Sequence, residues 1–119
     1  MNGKNEQLSD RLLDFAANVI KISNALPKTV AGRHVGGQLV KAGTSGGSNY
    51  EEACGAESRL DFAHKMSIVL KELKESRYWL RLICRTKMLD PNHIDSTVDE
   101  CEQLCAIVAK SIITVKRRR

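Results

Sequence analysis

The chain has 119 residues, of which 42% are apolar and 4% aromatic. That length fits one domain with a modest core and leaves no room for a two-lobed enzyme. The scarcity of rings argues against a nucleic-acid surface built from stacked aromatics. The net charge is +5, and four of those charges lie in the terminal run Lys116, Arg117, Arg118 and Arg119. The body is therefore nearly neutral in sum. The basic tail suits a nucleic-acid or acidic partner, and equally the C-terminus of a helix.

Two prolines, Pro27 and Pro91, interrupt the chain, which favours long helices over a turn-rich β fold. No apolar run approaches the roughly 18 residues of a membrane span, and no export signal opens the sequence. A cytoplasmic protein without membrane association is expected. The four cysteines are Cys54, Cys84, Cys101 and Cys105. None forms a CxxC pair, and reduced, largely buried thiols are expected.

The first predicted helix covers about residues 6–26. Leu8, Leu12, Phe15, Val19, Ile22 and Leu26 recur at alternating four- and three-residue steps, placing them on one helical face. Pro27 ends this helix, since it lacks an N–H and restricts the residue before it. Thr29 is then a candidate N-cap for the next one.

The second helix, about 30–53, is where two signals conflict. It contains Gly32, Gly36, Gly37, Gly43, Gly46 and Gly47, so propensity alone reads Gly43 to Asn49 as a loop between two short helices. Yet Val35, Leu39, Ala42, Gly46, Asn49 and Ala53 keep the four-three spacing, which a loop has no reason to keep. A helix with a small-residue contact face, kinked near Gly46-Gly47, is the favoured reading.

The third helix, about 57–87, carries the stripe Phe62, Met66, Val69, Leu73, Ser76, Leu80 and Ile83. Lys71 and Glu75 are expected to pair on its polar side. The fourth, about 94–116, shows Ile94, Val98, Cys101, Cys105, Val108, Ile112 and Val115. Its acidic start and basic end both match the helix dipole. Short connections make sequential helices antiparallel neighbours, so the expected fold is all-α, a single up-down four-helix bundle.

Catalytic and cofactor chemistry finds no support in the spacing. Gly43-Thr44-Ser45-Gly46-Gly47 lacks the preceding strand and the Gly-Lys-Ser/Thr ending of a phosphate loop. His34, His64 and His93 lie in three segments without zinc-ligand spacing, and the Asp61–His64 pair reads as a surface hydrogen bond. No enzyme activity, no metal and no cofactor are expected. The contact candidates for nucleic acid or another partner are Lys41, Arg59, Lys65, Lys74, Arg81 and Lys116 to Arg119. Tyr50, Tyr78 and Trp79 are candidates for an interface between subunits.

Several stretches carry a resemblance: Leu26-Pro27-Lys28-Thr29, Gly37 to Ser45, Gly47 to Ala53, Ser58 to Lys65, Leu70-Lys71-Glu72 and Glu75 to Leu80. Through them the chain resembles the 23S ribosomal RNA intervening-sequence proteins over about residues 8 to 115. The resemblance implies an up-down four-helix bundle with the glycine-threonine-serine stretch inside the second helix. It also implies a ring-like homopentamer and a distant relation to the accessory variability proteins of retroelements, which bind nucleic acid. The chain departs from the family pattern at Gly46-Gly47-Ser48, where relatives more often carry a larger apolar residue followed by Gly-Ala. RNA or DNA binding is the function this resemblance favours. A protein-interaction or structural module is the alternative.

Overall fold

The computed structural model describes residues 3–117, with side chains from residue 7 onward. Helix α1 spans Gly3–Ala25. It stops where Leu26 turns into the core and Pro27 offers no donor to extend the ladder. Thr29 caps α2 (Val30–Cys54), its Oγ1 accepting from the Gly32 N–H at 3.0 Å.

Helix α2 is continuous through all six of its glycines, so the periodicity prevails over the loop reading. Its polar residues do not call for a loop either. Thr44 Oγ1 donates to the Val40 carbonyl at 2.7 Å, and Asn49 Nδ2 to the Ser45 carbonyl at 2.8 Å. The glycines bring the helix close to its neighbours. A Cβ on Gly43 would stand 2.6 Å from Val19 Cγ1, and one on Gly47 3.5 Å from Leu12 Cβ, both on α1. A Cβ on Gly46 would meet Leu73 of α3 at 3.7 Å. At these three positions tertiary contact thus offsets a helical cost of about 1 kcal/mol per glycine.

Helix α3 spans Arg59–Thr86, starting two residues later than the sequence pattern suggested. The reason is a cap: Ser58 Oγ accepts from the Asp61 N–H at 3.1 Å, leaving Ser58 itself extended. At the far end Lys87 adopts a left-handed conformation with φ 58°. The Lys87 N–H bonds to the Cys84 carbonyl and the Met88 N–H to the Ile83 carbonyl, closing the end of the helix. A short 3₁₀ turn, Pro91–His93, precedes α4 (Asp95–Arg117). Ile94, between them, is fully buried.

The four helices form an up-down bundle about 50 Å long. Packing is extensive between α1 and α2, α2 and α3, and α3 and α4, and much thinner between α1 and α4. A polar clamp closes that thin seam. Arg11 reaches Glu100 through two hydrogen bonds, at 2.9 Å from Nε and 2.7 Å from Nη2, and touches Gln103 Oε1 at 3.2 Å. The core is filled mainly by the predicted stripes of α1 to α3, although Leu8, Asn49 and Phe62 are half-buried and Tyr50 takes a core place outside the predicted stripe. In α4 the buried face also includes Thr97 and Leu104, while Val98, Ile112 and Val115 are half-buried.

Candidate functional site

The outer face of α3 gathers what the bundle offers a partner. Lys71, Lys74, Tyr78, Arg81 and Arg85 follow one another at steps of three or four residues, so they share a helical stripe. All five are exposed. From Lys71 to Arg85 the stripe runs about 21 Å along the axis. The opposite face of the same helix supplies Met66, Val69, Leu73, Leu80 and Ile83 to the core.

None of the four ridge cations forms an ion pair among the described residues. Among the described residues the ion pairs are Arg11–Glu100 and Lys65–Asp61, at 2.7 and 4.0 Å. The expected Lys71–Glu75 pair does not form. Glu75 instead accepts from Trp79 Nε1 at 3.4 Å. Asp61 turns to Lys65 and to the Glu57 N–H, so the expected Asp61–His64 bond is absent.

Two aromatic contacts hold the middle of the ridge. Trp79 packs half-buried on the core. His34 of α2 meets its ring edge-to-face at 5.9 Å, and Tyr78 does so at 5.0 Å. Tyr78 is 59% exposed. It borders an open depression of about 210 Å³ lined also by Arg81, Leu82 and Arg85.

The other sequence candidates scatter. Lys74 and Arg81 belong to the ridge, but Lys41 is exposed on α2 and Lys65 is engaged by Asp61. Arg59 opens α3, and Lys116 and Arg117 end α4. The antiparallel arrangement puts these three at one end of the bundle. Arg118 and Arg119 lie outside the described residues. Tyr50 is only 3% exposed, inside the core of its own chain, so its side chain is not a surface for another subunit. Burial, then the Cys54 thiol, pushes its phenol above the ordinary range. Arg85 was missed as a site, although its spacing from Arg81 was readable, and Lys71 was read as the partner of Glu75.

The thiols form a second cluster, in the α3–α4 seam. Cys101 is fully buried, with its Sγ donating to the Leu73 carbonyl at 3.2 Å. Its hydrogen-bonded neighbour Cys105 and its burial keep it protonated. The Cys101 thiol, followed by Arg77 and Lys74, draws Cys105 below the ordinary thiol range. Cys54 is exposed and Cys84 half-buried, so the expected burial of the thiols holds for Cys101 and Cys105 but not for Cys54, and only in part for Cys84. Among the described residues no three His, Cys, Asp or Glu side chains gather closely enough to hold a metal ion. No helix among them is long and apolar enough to cross a membrane.

Comparison with known proteins points the same way as the fold. A comparison with the curated proteins gives no match. Among solved structures, the chain is similar to a protein of unknown function from the S23 ribosomal protein family of Bacteroides thetaiotaomicron VPI-5482. The two are 30% identical, the match covers 88% of this chain and 97% of that one, and the TM-score is 0.80. The family model described as 23S rRNA-intervening sequence protein matches residues 4–110, and with nearly the whole bundle inside that match the chain belongs to this family.

Proposed function

We propose that this protein is a non-catalytic bundle that binds nucleic acid along α3 and acts as a homo-oligomer in the cytoplasm. One observation carries the reading: Lys71, Lys74, Arg81 and Arg85 line one exposed helical face, with no carboxylate of the described residues within ion-pair distance. Such a row matches a phosphate backbone, whose bound counterions it would release. The near-neutral sum of the body does not oppose this, because α3 alone has seven cations against three carboxylates. The relation to retroelement accessory proteins implied by the sequence resemblance belongs to the same proposal.

The test is fluorescence anisotropy with a labelled oligonucleotide across a salt series. Affinity should fall steeply with salt. Replacing Lys74, Arg81 and Arg85 together by Gln should lower the log–log slope by about 2, near 0.7 per single-strand phosphate contact. All three side chains are exposed, so the variant should melt like the parent. Salt-independent binding, or a slope untouched by the triple substitution, would sink the reading. A chain ending at Val115 tests the tail separately.

A protein-interaction role has its own support on α1. Leu13 is 68% and Ile20 42% exposed, with Ala17 between them on the outer side. This apolar stripe suits contact with another copy of the chain, in the pentamer that the resemblance implies, or with a different protein. Sedimentation of the Leu13→Asp, Ile20→Asp variant should show a smaller species than the parent. An unchanged species would exclude this stripe as the contact between copies.

A further inference from the structure

We propose that Tyr78 and the depression beside it seat one unpaired nucleobase, so that the α3 ridge selects single-stranded over duplex nucleic acid. This rests on the nucleic-acid reading of the ridge and adds a site to it. The Tyr78 ring is fixed before any ligand arrives. It stands edge-to-face against Trp79, at 5.0 Å between centroids and 80° between planes. Trp79 is itself held by His34 at 5.9 Å and by the carboxylate of Glu75 at 3.4 Å. A ring held this way loses little freedom on stacking. With 59% of the residue in solvent, a ring face is open to a ligand.

Beside the ring the surface sinks into the open depression of about 210 Å³, with Leu82 as its apolar wall and Arg81 and Arg85 at its margin. That volume accepts a flat heterocycle. Any base can stack there, because every base has a π face. Arg81, about 4.5 Å along the axis on one side of Tyr78, and Lys74, about 6 Å on the other, are placed for the phosphates that flank the seated nucleotide, and Arg85 lies about 10.5 Å away beyond Arg81. A base inside a duplex is already stacked on both faces and cannot enter. The low aromatic content is no obstacle, since one ring per chain seats one base, and a multi-chain assembly repeats the seat.

The experiment uses the intact protein and three probes of equal length: a thymidine oligonucleotide, the same strand made abasic, and a duplex. Trp79 is the single tryptophan, so its fluorescence reports on events at Tyr78. The thymidine strand should bind roughly tenfold more tightly than the abasic strand and change Trp79 emission, which the abasic strand should not. Tyr78→Phe should keep the difference. Tyr78→Ala should abolish it while leaving the salt slope unchanged. If thymidine and abasic strands bind alike and Tyr78→Ala changes nothing, the base seat is wrong, although the charge ridge stands. If no probe binds, the ridge reading itself fails. If Tyr78→Ala shifts the sedimentation of the free protein, the ring lies between copies of the chain and the seat is overturned.

Discussion

Substituting alanine at Gly37 and at Gly43 should move stability in opposite directions. Both residues lie inside α2, so each gains about 1 kcal/mol of helix propensity when it becomes alanine. A Cβ at Gly37 meets nothing within 4 Å, and Gly37→Ala should stabilise by that full amount. At Gly43 the new carbon would lie 2.6 and 2.8 Å from the two methyls of Val19 and 3.0 Å from its Cβ. Val19 is fully buried and β-branched, and no rotamer moves a Cβ. The backbones of α1 and α2 must therefore separate. Overpacking of this kind costs about 1 to 3 kcal/mol. Net of propensity, Gly43→Ala should destabilise by roughly 1 kcal/mol. The propensity term is common to both variants, so their difference isolates the clash.

Urea and thermal unfolding followed by far-ultraviolet circular dichroism would measure this, at one protein concentration because self-association adds to stability. The two variants should bracket the parent, at about 4 °C per kcal/mol. Trimming Val19 to Ala should remove most of the Gly43→Ala penalty, a coupling of about 1 to 3 kcal/mol in a double-mutant cycle. If Gly43→Ala stabilises as much as Gly37→Ala, the close approach of α1 and α2 is not as described.

Two further outcomes follow from the seams. Arg11→Ala should cost about 1 kcal/mol, in line with a half-exposed two-point pair, and hydrogen exchange should accelerate in α1 more than in α2 or α3. Stability should also peak near pH 9. Burial holds Tyr50 and Cys84 protonated in the fold, as the Cys105 hydrogen bond and burial do Cys101. Above the ordinary thiol value of 9.0 the unfolded chain therefore binds fewer protons, and stability falls as pH rises, by at most about 1.4 kcal/mol per unit and group. Cys105 is shifted the other way, so it adds stability as pH approaches 9 from below. Urea midpoints that stay flat from pH 7 to 11 would contradict both directions.

The bundle was legible because its signal is one-dimensional. A four-three stripe specifies a buried helical face whatever it packs against, and Pro27 and Thr29 mark their boundary by local chemistry alone. Helix α2 was legible only in part. Its glycines lower propensity at every step, and what offsets that loss is Val19, Leu12 and Leu73, which lie 24 or more residues away in sequence. The start of α3 was misjudged by two residues because the stripe begins only at Phe62 and does not register the Ser58 cap that bounds the turn before it. The ridge was hidden by addition, since acidic residues elsewhere cancel α3 in the chain total. Its spacing was visible, but the absence of ion pairs was not. Neither was the contact of Trp79 with His34, which depends on how α2 and α3 align.

Where the ridge sits also bears on how it works. Helix α3, like α2, is packed extensively against two neighbours, in its case α2 and α4. The cations therefore project from a well-constrained element of the bundle, and their backbone need not be ordered when a strand arrives. Arg59 and the last turn of α4 stand at the end of the bundle, about 18 Å along α3 from Lys71. That exceeds a Debye length of roughly 8 Å at physiological salt. The two groups of charge do not reinforce each other through solvent, and only a strand long enough to span both would join them. A short oligonucleotide should therefore respond to the ridge substitutions and ignore truncation at Val115, whereas a longer one should respond to both additively. The length at which truncation begins to matter then measures where along the bundle the strand runs.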